Sequence, residues 1–232
     1  MWAITPNELT AIKLSLKVAS VAMLVSLPLA IAVAYLLARG RFRGKTLLDG
    51  LIHLPLVLPP VVTGYALLLM FGQRGVIGKF LSETFGLVFS FRWTGAALAA
   101  AVMGFPLMVR AIRLAMESVD RGVEEAASTL GASPLRVFST VTLPLSMQGI
   151  IAGAMLSFAK ALGEFGATIT FVSNIPGETQ TIPAAIYSLT QTPGGDDGAL
   201  RLSLVAVVLS LIAVVISETL ARRAGGRGVR LQ

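Results

Sequence analysis

Four stretches of this chain, residues 18–38, 94–116, 145–172 and 202–221, are long, apolar and poor in charge. A helix rises 1.5 Å per residue, so about 20 such residues cross the roughly 30 Å hydrocarbon layer of a bilayer. Backbone amides find no water there, and a helix satisfies them within the segment. The pattern predicts an all-α, polytopic membrane protein. A fifth stretch, "LIHLPLVLPPVVTGYALLLMFG" (51–72), is also long enough but carries Pro55, Pro59 and Pro60. Proline removes a backbone donor and clashes with the preceding turn, so this span is expected to kink or break near Pro59.

Two further apolar segments, 75–91 and 181–192, are too short to cross and are read as interfacial or re-entrant helices. Five spans are therefore expected, with a sixth possible, in one transmembrane domain covering the whole chain. Only 13% of the residues are charged, against about a quarter in a typical soluble domain. A net charge of +7 is compatible with nucleic-acid binding, but the basic residues cluster at the ends of apolar runs, where they anchor and orient spans. The chain has no cysteine and a single histidine, His53, which excludes disulfides, thiolate chemistry and a multi-histidine metal site. No cofactor is expected.

Short loops rich in Lys and Arg stay in the cytoplasm. Arg39, Arg41, Arg43 and Lys45 follow the first span. Arg110, Arg113, Arg121 and Arg136 surround the loop after the third, and Arg222, Arg223, Arg227 and Arg230 lie in the tail. With five spans these groups fall on one side, placing the N-terminus outside and the C-terminus in the cytoplasm. The opening "MWAITPNELTAIKLSLK" lacks a basic start and a small-residue cleavage site, so the first span is expected to direct insertion itself. The outer loops are too short for an extracellular domain.

The stretch "VEEAASTLGASPLRVFSTVTLPLS" (123–146) interrupts this apolar pattern on the cytoplasmic side. Asp120 is a good N-cap, and Glu124 and Glu125 suit the positive end of a helix dipole. Gly131 stands where a helix ends in a left-handed residue. Ser133 and Pro134 then start a second helix, and Pro144 precedes the fourth span. The element is a helix, a tight turn and a helix, spanning about 120–144. Ala126 and Ala127 let another surface approach closely, with Glu125 beside them. From the residues alone, a peg for a cytoplasmic partner and a well-capped solvated loop are both open.

Within it, "EAASTLGASPLRVFSTVTLP" resembles the cytoplasmic signature of ABC-importer permeases: Glu-Ala-Ala, three residues, Gly, nine residues, a branched aliphatic, one residue, Leu-Pro. The matching positions are Glu125, Ala126, Ala127, Gly131, Val141, Leu143 and Pro144, with Val141 where isoleucine is commoner. The segments "LDGLIHLPLVLPPVVTGYALLL", "GFPLMVRAIRLAMESVD" and "ALGEFGATITFVSNIPGETQTIPAAIYSLTQTPGG" look like the permease subunit of molybdate importers, and sulfate permeases share "GEFG". The resemblance implies an inner-membrane permease that works as a homodimer with two cytoplasmic ATP-binding subunits. An extracytoplasmic oxyanion-binding protein would deliver molybdate, and alternating access would carry it inward. The ATPase-coupling residues would be Glu125, Ala126, Ala127, Gly131, Leu143 and Pro144. A sulfate or tungstate permease is the nearest alternative. An ion-coupled secondary transporter or a membrane scaffold would not need the signature.

Lys160 and Glu164 sit four residues apart inside the fourth apolar run. An intramembrane charge costs roughly 2.5–3.5 kcal/mol on insertion scales, so both should face protein or water. Lys before Glu is the less favourable order on one helix, and a lone carboxylate would repel an oxyanion. Glu164 is therefore expected to be paired or to gate. Together with Thr168, Pro59 and Pro60, these two residues are the candidates for the translocation path or its gate. Gly163, Gly166 and Ala167 are read as close helix packing rather than a hinge, and His53 as a structural residue. "GRFRGKT" (40–46) has one residue too few between its glycines for a phosphate loop and follows a span rather than a strand. The chain is thus expected to be no enzyme, with ATP hydrolysed by a partner.

Overall fold

The computed structural model describes residues 4–225, with side chains to residue 220. Every regular element among them is helical. The first helix, α1 (Pro6–Arg39), starts a dozen residues before the predicted span. Thr5 and Glu8 form a reciprocal capping box: the Glu8 amide donates to Thr5 Oγ1, and the Thr5 amide donates to Glu8 Oε2 at 2.7 Å. The second span breaks as its prolines require. α2 (Lys45–Val57) and α3 (Pro60–Phe71) meet at Leu58–Pro59 with a bend of 112°. A short helix, α4 (Val76–Phe85), leads to α5 (Trp93–Glu117), which matches the third predicted span.

The inserted element comprises α6 (Arg121–Thr129), α7 (Pro134–Val137), a π turn (Phe138–Thr142) and α8 (Leu143–Leu145). The run 145–172 departs from expectation. It is not one helix: α9 (Met147–Leu162) stops at Gly163, and α10 (Gly166–Val172) restarts after Phe165. The α7–α8 stretch joins α9 at 69°. The chain finishes with α11 (Ile182–Thr190) and α12 (Asp196–Gly225). Three helices are long and apolar enough to cross a bilayer, and five crossings result if each bent pair counts as one. At 10 and 9 residues, α4 and α11 reach only about 15 Å, too short for a sixth crossing.

The centre of the bundle is α1, α5 and α9. Lipid offers helices no hydrophobic reason to associate, so close packing has to do it. Small residues line the contacts: Ala19, Ala22, Ala30 and Ala34 on α1, and Ala96, Ala99 and Ala100 on α5, are fully buried or nearly so. Gly104 of α5 lies against Ser157 of α9, and Gly153 of α9 against the Met108 carbonyl of α5. One apolar cluster, built on Val18, Met103 and Phe171, fills the half of the bundle near α10. A second, built on Leu37, Ile112 and Met116, fills the half near α6. By contrast α2 has no buried residue, and α12 exposes Val207, Val208, Leu211 and Val215 along its length.

Polar pairs mark the two ends. Glu8 of α1 accepts from Arg201 of α12 at 2.8 Å. At the other end, Arg39 of α1 reaches Glu124 of α6, and Arg113 of α5 binds Asp49 of α2 at 3.1 Å. The basic tail residues Arg227 and Arg230 lie outside the described residues, as do the side chains of Arg222 and Arg223.

Candidate functional site

The signature element folds as its caps dictate. The Asp120 carboxylate accepts from the Gly122 amide at 2.8 Å, closing the N-terminus of α6. After Thr129 the amides of Leu130, Gly131 and Ala132 turn back onto the carbonyls of Ala126, Ser128 and Ala127. Gly131 reaches this turn with φ of +86°, a conformation in which a side chain is strained. A Cβ at Gly131 would meet nothing within 4 Å, so the glycine is required by conformation and not by space. Ser133 is extended ahead of Pro134, although its side chain makes no capping bond.

The matched residues then divide into two groups. Glu125 and Ala126 are exposed and Ala127 half-buried, so the Glu-Ala-Ala face is open to solvent. Leu130 and Leu135 beside it are 89% and 76% exposed, an apolar rim that sequence reasoning did not single out. Leu143 instead packs inward with Phe138 against the second cluster, while Pro144 stays at the surface.

Sequence reasoning also missed what Glu124 does. Its carboxylate accepts from Arg39 Nε and Nη2 at 3.2 and 3.1 Å and from the Thr142 hydroxyl at 2.6 Å. Arg39 Nη2 also donates to the Val119 carbonyl at 3.0 Å. An acid beside the signature and an arginine closing the first span were legible as types. Their pairing joins residues 85 apart and needed the fold.

The path candidates come together at the two breaks. Lys160 Nζ donates to Glu164 Oε2 at 2.7 Å, and the Ala167 amide donates to Glu164 Oε1 at 2.9 Å. Glu164 therefore caps α10 while it pairs with the last turn of α9. This changes the sign of the sequence argument. On one helix Lys before Glu is the weaker order; across a break it places the cation at a C-terminus and the anion at an N-terminus, each favoured by its helix dipole. The Glu164 side chain is 1% exposed and that of Lys160 30%. Thr168 is buried and donates to the Phe165 carbonyl at 2.8 Å, and Thr170 donates to the Gly166 carbonyl at 2.9 Å. Both hydroxyls are thus engaged with their own backbone.

Pro59 and Pro60 open α3 directly beside this region. A Cβ at Gly166 would fall 2.8 Å from Pro60 Cβ, and one at Gly64 would strike the Ala167 carbonyl. Gly166 and Ala167 sit in close packing, as expected, but Gly163 does not: it is exposed, meets no other helix, and ends α9 at the break. His53 Nδ1 lies 2.8 Å from the Asp49 carbonyl oxygen and 3.4 Å from Asp49 Oδ1, and Arg113 binds both Asp49 and Glu117. These residues tie α2 to the end of α5. The 40–46 segment is a turn between α1 and α2, in no phosphate-loop context.

Comparison with known proteins matches this arrangement. Residues 26–226 fit the family described as "Binding-protein-dependent transport system inner membrane component". The chain is 62% identical over 219 residues to the molybdenum transport system permease protein ModB of Escherichia coli K12, covering 94% of this chain and 96% of that protein. It is 62% identical over 216 residues to the ModB of Haemophilus influenzae, covering 93% and 94%. Similarity extends to the sulfate transport system permease protein CysT of Salmonella typhimurium, 36% identical over 97% of this chain and 80% of that one. Among solved structures, a bacterial ABC transporter for import of the acidic polysaccharide alginate superposes with a TM-score of 0.75 at 18% identity, over 94% of this chain and 80% of that chain. The MetNI methionine ABC transporter superposes at 0.68 and 13% identity, over 97% of each chain. The capped signature helix, the bundle and relatives matched over nearly their whole length agree: this chain belongs to the binding-protein-dependent transport system inner membrane components.

Proposed function

We propose that this chain is the transmembrane permease subunit of an ATP-driven importer that brings molybdate into the cell. The observation that carries the reading is the capped, solvent-open Glu125–Ala126–Ala127 face at one end of a bundle that is 62% identical to molybdenum transport permeases. In this reading α6 seats on a cytoplasmic ATP-binding subunit, with Gly131 setting the turn and Leu143 and Pro144 feeding motion into α9. The Arg-rich loops support a cytoplasmic position for that end, with the N-terminus outside. Two copies enclose the path on a two-fold axis, and the unburied faces of α2 and α3 supply apolar surface for the second copy. An extracytoplasmic binding protein delivers the oxyanion.

The gate is the pair of breaks. Pro59 and Pro60 on one side and Lys160, Glu164 and Thr168 on the other hold α3 against α10, and alternating access moves these half-helices. The relationship to sulfate permeases favours one second reading, transport of sulfate, a tetrahedral oxyanion of the same charge. Radiolabelled molybdate uptake into proteoliposomes carrying permease, ATP-binding subunit and binding protein separates the two. Uptake that needs ATP and resists excess sulfate supports molybdate; uptake abolished by sulfate at equal concentration supports the second reading.

A further inference from the structure

We infer that Arg39, Glu124 and Thr142 form a joint that transmits movement of α6 to α1. This rests on the reading of α6 as the contact for the ATP-binding subunit. In sequence, α6 connects only to α5 before it and to α7–α9 after it. None of its own residues is buried, so packing alone holds it loosely. Its Glu124 carboxylate nevertheless collects three donor contacts, two from Arg39 and one from Thr142, the last of these fully buried. The Arg39 and Glu124 side chains are 13% and 15% exposed, so the pair is largely shielded from water.

A forked guanidinium holding one carboxylate fixes orientation as well as distance, which a lysine ammonium cannot do. Arg39 adds a bond to the Val119 carbonyl, just before the α6 cap. One side chain thus grips the element both at its entrance and within its first turn. Glu125, the next residue, faces outward and is free to meet a partner. Neighbouring acids therefore divide the work: Glu125 faces the engine, and Glu124 holds the machine.

The helix that is gripped is suited to carry the motion. α1 runs unbroken for 34 residues, about 51 Å, against both α5 and α9. Its far end is fixed to α12 by the Glu8–Arg201 pair, whose side chains are 6% and 17% exposed. A displacement of α6 entering through Arg39 reaches the opposite end of the bundle along one helix, which stays continuous through its interior Pro28. Arg39 is a positioning residue here and touches no substrate.

The test uses the complete assembly in proteoliposomes, with molybdate transported per ATP hydrolysed as its main readout. Arg39→Met is expected to bind the ATP-binding subunit at the wild-type level while transport per ATP falls about tenfold or more. Arg39→Lys, which keeps the charge but loses the fork, should recover part of the ratio. Thr142→Val, which removes one of three donors, should lower it less than Arg39→Met. An unchanged ratio in Arg39→Met overturns the joint. So does loss of the ATP-binding subunit from Arg39→Met, because the bond would then only shape the docking face. The docking reading has a separate measurement: Glu125→Lys that still co-purifies the ATP-binding subunit would refute it whatever the ratio. Because the chain has no cysteine, labels at Ser128→Cys and Leu24→Cys are unique. Their separation should stay constant with and without ATP in the wild type and vary in Arg39→Met.

Discussion

The two polar regions of this molecule are built in opposite ways. The α6 helix is exposed and its ends are set by its own neighbours in sequence: Asp120 caps, Gly131 turns, Pro134 restarts, and only the Arg39 bonds to Glu124 and Val119 tie it to a distant segment. At the paired breaks Glu164, Ala167 and Thr168 are buried while Pro59, Pro60 and Gly163 are exposed, and contacts between segments about a hundred residues apart hold the two breaks together. There Pro60 meets Gly166 and Gly64 meets Ala167, while the Lys160–Glu164 pair bridges the second break locally. A local element can be redesigned at its surface with little cost in stability. A long-range one spends stability on every change. The difference teaches that the proposed docking face and the proposed gate are separable by mutation.

The largest effect is expected at the proposed gate. Lys160→Met leaves the Glu164 carboxylate buried without its counter-charge, which costs about 3–5 kcal/mol when a buried pair is broken. Thermal unfolding in detergent should register the loss and uptake should cease. Lys160→Met with Glu164→Gln together should recover much of the stability, since no unpaired charge remains. A single variant as stable as wild type would break the comparison.

Gly64→Ala comes next. Its methyl meets the Ala167 backbone, which cannot rotate aside, and overpacking of this kind costs about 1–3 kcal/mol. A lowered unfolding temperature with normal binding of the ATP-binding subunit would place the damage at the gate alone. Gly131→Ala is smaller, about 1 kcal/mol for a residue held at positive φ. Gly131→Val, bulkier at the same φ, should also reduce uptake per ATP. Last is Glu125→Lys, an exposed change expected to move stability by no more than about 0.5 kcal/mol. Co-purification should nonetheless show the ATP-binding subunit lost, so this variant sharpens the contrast most.

The same contrast explains how much was legible in the sequence. The caps of α6, its left-handed glycine and the break at Pro59 are local consequences of single residue types, and they were readable. The early start of α1 was also readable in principle, because Thr5 and Glu8 stand at capping-box spacing. The break at residues 163–165 was hidden by the unbroken hydropathy of 145–172. Its signals were Gly163 and Gly166, read as packing, and the order of Lys160 and Glu164, which is unfavourable only if the helix continues. The Arg39–Glu124 bond had no local signal. The Thr168 hydroxyl donates to the Phe165 carbonyl, the bond to its own backbone that a threonine within a span commonly makes.

All of this depends on α6 lying where an ATP-binding subunit can reach it. A single cysteine at Ser128, exposed on α6, reports that directly through a membrane-impermeant maleimide. Labelling in inside-out vesicles and none in intact cells is the predicted result. Labelling from outside intact cells would contradict the account.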